Sequence, residues 1–278
     1  MVHTQAILKT ADNLDLYAQS WKPEAGSKAV LVLVHGLGEH SSRYAHVAER
    51  LGHIGVETHT WDHRGHGKSP GARAFVNRFE DYLADLDAFF KGVQTEASGK
   101  SVFVLGHSMG GAIVALWTIT RQPRIAGLIL SSAALKIGDD FSPLLVKIAG
   151  VVSAIAPQLP TSKIRTELIS RDPEVVKRAS NDPLSYYGGT LARTGAEILR
   201  AMTLIQEGAG RITVPTLLFH GTADKITNPD GSKLIHSRLG AQDKTLRMYE
   251  GSFHETMNDL DQDRVMADLA TWIAAHLG

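Results

Sequence analysis

Short, almost continuously apolar runs separated by longer segments of helical periodicity dominate the first 130 residues. AVLVLVH at 29–35, VFVLGH at 102–107 and GLILSS at 127–132 lack the apolar-polar alternation of a half-exposed strand. They therefore predict central strands of a parallel sheet covered on both faces. Segments 79–94 and 109–121 carry apolar residues three and four apart, the spacing of covering helices. Strands alternating with helical crossovers place the chain in the α/β class. Two extended stretches, 3–10 and 14–21, flank Ala11-Asp12-Asn13 and predict an antiparallel hairpin at the sheet edge. From 133 to 210 no convincing buried strand is visible, only apolar helical pieces punctuated by Pro143, Pro157, Pro160, Pro173 and Pro183. This segment reads as a helical cap inserted into a core made of 1–132 and 211–278. The strand signal returns at 215–221 (PTLLFHG) and 245–251 (TLRMYEG), and a helix over 263–276 closes the chain.

With 278 residues, 43% of them hydrophobic, the chain can fill a sizeable core. Lys+Arg and Asp+Glu total 29 each, so no overall basic field favours a nucleic-acid partner. Cysteine is absent, which removes disulfides, thiolate nucleophiles, iron–sulfur clusters and Cys-containing zinc sites. Any nucleophile is then oxygen or nitrogen. The first residues show no basic region followed by an apolar one, so no secretory signal is expected and the expected compartment is the cytoplasm. The longest apolar stretch, 144–156, is broken by Lys147 and falls short of the roughly 20 residues that cross a bilayer.

The strongest chemical signal is GHSMG at 106–110, a G-x-S-x-G elbow between a predicted strand and a predicted helix. Ser108 is the candidate nucleophile, and small residues at Gly106 and Gly110 answer the close approach of helix and strand. A serine hydroxyl needs a base to take its proton, and the base needs a third group to fix its tautomer. HGTAD puts Asp224 just past one late strand, and YEGSFH puts His254 just past the next, in the order Ser, Asp, His. Asp230, Asp243 and Asp259 compete for the acid's place but fall in helix-like or pre-strand segments. Acyl transfer also needs two N–H donors for the developing oxyanion. Met109, after the nucleophile, and Leu37, in the HGLG turn after the buried strand at 29–35, are placed to supply them.

Nine of the thirteen histidines precede residue 110, which raises a metal site as a possibility. No pair stands at i, i+4 beside a glutamate, as H-E-x-x-H requires. The reading is therefore of hydrogen-bonded structural histidines, with neither metal nor cofactor. GLGEH and RGHG also lack both phosphate-loop patterns.

Taken together, HGLGEHSSRY (35–44), DHRGHGKS (62–69), GHSMGG (106–111), SSAAL (131–135), NDPL (181–184), VPTLLFHGTAD (214–224) and QDKTLRMYEGSFH (242–254) resemble, in order and over nearly the whole length, the monoacylglycerol lipases of the α/β-hydrolase superfamily. These are the lysophospholipase-like or serine aminopeptidase-like hydrolases. The resemblance implies an α/β-hydrolase fold, a mostly parallel eight-stranded sheet flanked by helices with an inserted cap. It implies hydrolysis of one acyl chain from glycerol by Ser108, Asp224 and His254, with Leu37 and Met109 at the oxyanion. It also implies that Glu39 and Arg43 lie at the polar end of the pocket and help place the glycerol head. An internal salt bridge that shapes the oxyanion loop is an equal and compatible reading of that pair. Two positions depart from the animal members: Met257 stands where they have a second histidine, and Ala179 or Ser180 where they have a cap tyrosine. Tyr186 or Asn181 are candidate substitutes.

The expected substrate is a neutral single-chain acylglycerol, and the apolar stretch 141–155 of the cap is expected to face the pocket or touch a membrane surface. A carboxylesterase, a lysophospholipase or a proline-preferring peptidase could use the same three residues. A ligand-binding protein on this fold is the non-enzyme alternative. Oligomeric state is left open.

Overall fold

A computed structural model describes residues 1–137, 143–163 and 165–277. Phe141 and Ser142, at the head of the apolar stretch 141–155, lie outside the described residues. The sheet at its centre has eight strands: β1 (Val2–Lys9), β2 (Asp15–Lys22), β3 (Ala29–Val34), β4 (Val56–Trp61), β5 (Ser101–His107), β6 (Gly127–Ser131), β9 (Thr216–Gly221) and β10 (Lys244–Tyr249). Their spatial order is β1-β2-β4-β3-β5-β6-β9-β10. Only β2 runs against the others; all pairs from β4 to β10 are parallel.

The apolar runs form strands because both faces of the sheet are covered. Val30, Val32 and Val34 of β3 point into one core with helices α2 (Phe79–Ala97) and α3 (Met109–Arg121). Leu31 and Leu33 point into the other core, with α1 (Ala45–Gly52) and α8 (Gln262–Ala275). Strand β5 divides in the same way, Val102 and Val104 to the first side and Phe103 and Leu105 to the second. The predicted hairpin is β1 with β2, turning at Asn13, whose φ is 64°.

Strand β4 has no counterpart in the hydrophobic pattern. Its sequence VETHTW places Glu57, Thr58, His59 and Thr60 in the interior, between β3 and β2. Ladder pairing makes it a strand, while local partners satisfy Glu57 and His59: Ser27 Oγ donates to Glu57 at 2.6 Å and His59 Nε2 meets the same carboxylate at 3.2 Å.

Between β6 and β9 come α4 (Pro143–Ile155), the short strand β7 (Pro160–Ser162), α5 (Pro173–Ser180), the two-residue strand β8 (Thr190–Leu191) and α6 (Ala192–Gly208). Prolines open α4 and α5, where a missing N–H costs nothing. Strand β7 is fully exposed and pairs only with β8. Helix α6 roots the segment: Ile198, Ala201, Met202 and Ile205 join the core that contains α3. Past β9 the chain forms α7 (Pro229–Arg238) before β10. Among the described residues no helix is long and apolar enough to cross a membrane.

Candidate active site

The carboxyl ends of the parallel strands converge on Ser108, at the turn from β5 into α3. Its backbone is held at φ 54°, ψ −118°, a strained region for a residue with a Cβ. Two close approaches make the turn possible. A Cβ on Gly106 would lie 2.3 Å from the Gly110 carbonyl oxygen, and one on Gly110 would lie 2.1 Å from that of Val34. Hydrogen bonds lock the rest: Ser108 N–H donates to Ser131 at 3.0 Å, and the Ser108 carbonyl accepts from Ala134 at 2.9 Å. Gly110→Ala therefore pushes backbone against backbone. We expect a loss of about 3 kcal/mol in urea unfolding, at the upper end for overpacking.

The HGLG turn is registered to the elbow by the β3–β5 ladder, where Val34 faces Gly106. A Cβ on Gly36 would sit 3.1 Å from Ser108 Cβ, so the loop runs directly against the serine. Leu37 lines the same pocket as Ser108 and His254. Met109 begins α3, so its N–H is one of the amides at a helix start that lack an intrahelical acceptor.

His254 and Asp224 meet although thirty residues separate them. His254 Nδ1 donates to Asp224 Oδ2 at 2.7 Å, which leaves the Nε2 lone pair free to act as a base. The backbone N–H groups of Ile226 and Thr227 donate to the other carboxylate oxygen at 2.7 and 3.1 Å. Burial acts to raise the Asp224 pKa, but the charges and hydrogen bonds of His254 and His220 outweigh it and hold the carboxyl well below its usual range. Burial likewise acts to lower His254, and Asp224, then Glu255 and Glu39, outweigh it, so the imidazole sits above its ordinary value. His107, whose ring centre is 4.8 Å from that of His254, is pushed down to about 3 by burial and by His254 and stays neutral.

Of the competing acids, Asp230 pairs with Lys233 on an exposed helix start and Asp243 with His276. Asp259 is not a solvated charge. It is fully buried and accepts from Phe253 N–H at 2.7 Å, bracing the His254 turn, and from Arg171 Nε at 3.0 Å.

Glu39 and Arg43 both line the pocket and do form an internal ion pair, 3.1 Å apart. Their third partner, Glu255, gave no signal in the sequence beyond its place after His254. Arg43 donates to both of its oxygens, at 2.7 and 2.8 Å. Glu39 also accepts from Gly36 N–H at 2.6 Å and from the Tyr44 hydroxyl at 2.7 Å, which ties the ion pair to the HGLG turn. Burial, against the pull of Arg43, raises the Glu39 pKa, while Arg43 overcomes burial to lower that of Glu255. Arg43→Met strands two buried carboxylates, and we expect a loss of about 3 kcal/mol at neutral pH. Without the guanidinium both carboxyls titrate above their unfolded values, so protonation restores stability as pH falls. Urea midpoints at pH 7 and pH 5 check this: the deficit shrinks at pH 5.

His35, His63 and His66 have backbone partners. His35 Nδ1 donates to the Gly36 carbonyl at 2.8 Å, and its Nε2 accepts from His63 N–H at 3.0 Å. Burial holds His63 down to about 3 and His66 to about 4, so both are neutral props of the HGLG turn. Among the described residues no cluster of three metal-ligating side chains occurs.

Described residues between β6 and β9 contribute to the pocket. Tyr186 N–H donates to the Gly38 carbonyl at 2.8 Å, and His40 Nε2 meets Asp182 Oδ2 at 2.7 Å. Tyr186, Ala179 and Ile169 line the pocket. Asn181 is exposed and donates to the Lys177 carbonyl, and the Tyr186 hydroxyl donates to the Gly189 carbonyl at 3.2 Å.

Residues 25–261 match the family model described as "Serine aminopeptidase, S33". The chain is similar to a monoacylglycerol lipase of Mycolicibacterium smegmatis, 34% identical over 257 residues that cover 92% of each chain. It is also similar to the monoglyceride lipase of Homo sapiens, 33% identical over 96% of this chain and 89% of that one. The crystal structure of Paleococcus ferrophilus monoacylglycerol lipase superposes with a TM-score of 0.84 at 34% identity, covering 94% of this chain and 99% of the other.

Proposed function

Because this chain belongs to the serine aminopeptidase, S33, family of hydrolases, we propose that it hydrolyses monoacylglycerols to fatty acid and glycerol through an acyl-Ser108 intermediate. The observation that carries the reading is the convergence of Ser108, His254 and the Leu37 turn on one pocket, with Asp224 fixing the His254 tautomer. Ser108 Oγ attacks the ester carbonyl while His254 Nε2 takes its proton, and the Asp224 charge stabilises the imidazolium. The Leu37 and Met109 amides hold the oxyanion. His254 returns the proton to the leaving glycerol oxygen, and water then repeats the sequence on the acyl-enzyme. No cofactor takes part.

The polar end of the pocket, at Glu39 and Arg43, receives the glycerol head; the Glu255 pairing holds both side chains still rather than leaving them free to adapt. Segment 133–210 acts as the cap over this site, rooted by α6 on the core. Val151, Ile155 and Leu159 in the cap are 58%, 80% and 50% exposed, an apolar surface suited to peripheral contact with a lipid layer. Within this reading the protein works from the cytoplasm at the face of a membrane.

Release of fatty acid from monooleoylglycerol, dioleoylglycerol, lysophosphatidylcholine and p-nitrophenyl butyrate tests the substrate. We expect kcat/KM for monooleoylglycerol to exceed the others by about 10-fold or more. A preference for the butyrate ester would leave a general carboxylesterase, and a preference for lysophosphatidylcholine a lysophospholipase. Inactivity on all four would leave the binding-protein alternative.

A further inference from the structure

Asp224 Oδ2 receives more than the His254 proton. His220 Nε2 lies 3.0 Å away and the Thr227 hydroxyl 2.8 Å away. A carboxylate only accepts, so His220 Nε2 must carry a hydrogen and point it at the same oxygen that His254 uses. The Thr227 hydroxyl has one hydrogen and two acceptors, since the Ser132 carbonyl also lies 3.0 Å from it. His220 Nε2 also lies 3.2 Å from the Thr227 hydroxyl oxygen, and the nearer, charged carboxylate oxygen is the stronger acceptor of its hydrogen. Its other nitrogen meets the Ser232 hydroxyl at 2.8 Å, and both residues are fully buried. This chain of contacts runs from α7 through β9 to the acid.

Three other buried histidines are bonded differently. His35, His63 and His66 give their ring N–H groups to backbone carbonyls. His220 alone among these commits its proton to a carboxylate on which the reaction depends. We propose that His220 is a positioning residue: with Ser232 behind it, it fixes the Asp224 carboxylate against His254 and sets how strongly that carboxylate holds the imidazolium. The proposal rests on the Ser108, His254 and Asp224 reading above.

Each hydrogen bond to a carboxylate spreads its charge and lowers its basicity. Removing the His220 donor leaves Asp224 a stronger base, so the His254 proton is held more tightly and the acid limb of kcat/KM moves to higher pH. The charged and titratable groups around His254, namely Asp224, Glu255, Glu39, Arg43 and His107, are unchanged by the substitution. Around His220 stand Asp224, Ser232, Thr227 and, through Thr227 and Asp224, His254.

The experiment is the pH profile of monooleoylglycerol hydrolysis by the wild type, His220→Leu and His220→Gln, with Ser108→Ala as control and the His254 imidazole proton followed by NMR. In His220→Leu, kcat falls about 10-fold with KM unchanged, and the acid limb and the NMR titration rise together by about one pH unit. His220→Gln, which offers an amide N–H of similar reach, returns most of both. Should the leucine variant not fold, the glutamine variant still decides: its limb must stay within about 0.3 units of wild type. Two folded variants with the wild-type limb and kcat, or a folded glutamine variant no better than leucine, would overturn the proposal. Activity surviving in Ser108→Ala would instead overturn the triad reading, and this proposal with it.

Discussion

Ser108→Ala is expected to lower monooleoylglycerol hydrolysis by on the order of 10³-fold or more in kcat, with little change in KM. The reason is specific to the atom removed. The strained φ of 54° at residue 108 presents the side chain to the pocket, and alanine keeps that backbone, the Gly106 and Gly110 contacts and the oxyanion loop. Substrate binding and protein stability should therefore survive while covalent catalysis does not. Residual rate comes from the oxyanion donors and from binding alone. Steady-state kinetics together with thermal unfolding check it: an unchanged Tm beside a collapsed kcat is the expected pair.

Asp224→Asn should cost nearly as much, about 10³- to 10⁴-fold in kcat, and the surroundings say why. The amides of Ile226 and Thr227 donate to Oδ1 at 2.7 and 3.1 Å, so the asparagine carbonyl must take that side. Its NH₂ then replaces Oδ2 and faces His254 Nδ1. A donor there can be met only by the tautomer that carries its hydrogen on Nε2, and that tautomer cannot accept the Ser108 proton. The same NH₂ also opposes the His220 Nε2–H, so His220 must turn to the tautomer that donates from Nδ1 to Ser232, disturbing a second buried contact. We expect it to be less stable than wild type by about 1–3 kcal/mol, measured as a shift in the urea midpoint. A variant with wild-type kcat would show that the Asp224 contact does not orient the base.

Strands β3, β5 and β6 were legible because burial on both faces demands an uninterrupted apolar run. Strand β4 was not, because Glu57, Thr58 and His59 find polar partners or pack within the sheet, information that resides in β2, β3 and Ser27. Ser108, Asp224 and His254 stand out as candidates because each follows a recognisable strand and carries a side chain whose chemistry is rare at such a place. Glu255 and His220 could not be read in this way. Arg43 and Glu255 are 212 residues apart, and nothing local marks either as the other's partner. His220 sits in an apolar strand, where a histidine suggests only a buried polar residue, and its link to Ser232 emerges when β9 and α7 pack. Asp259 falls in a segment that reads as helix-like or pre-strand, yet it is buried because Arg171 arrives from the segment between β6 and β9 to pair with it.

The central claim is that acyl transfer passes through Ser108. The direct measurement is mass spectrometry of acid-quenched wild-type protein during turnover of monooleoylglycerol, with peptides mapped for a retained acyl chain. The account predicts a single oleoyl ester, carried on Ser108 in the GHSMG peptide and absent from Ser108→Ala. Turnover that proceeds with the chain on another residue, or with no acyl-enzyme in the wild type while Ser108→Ala remains active, would contradict it.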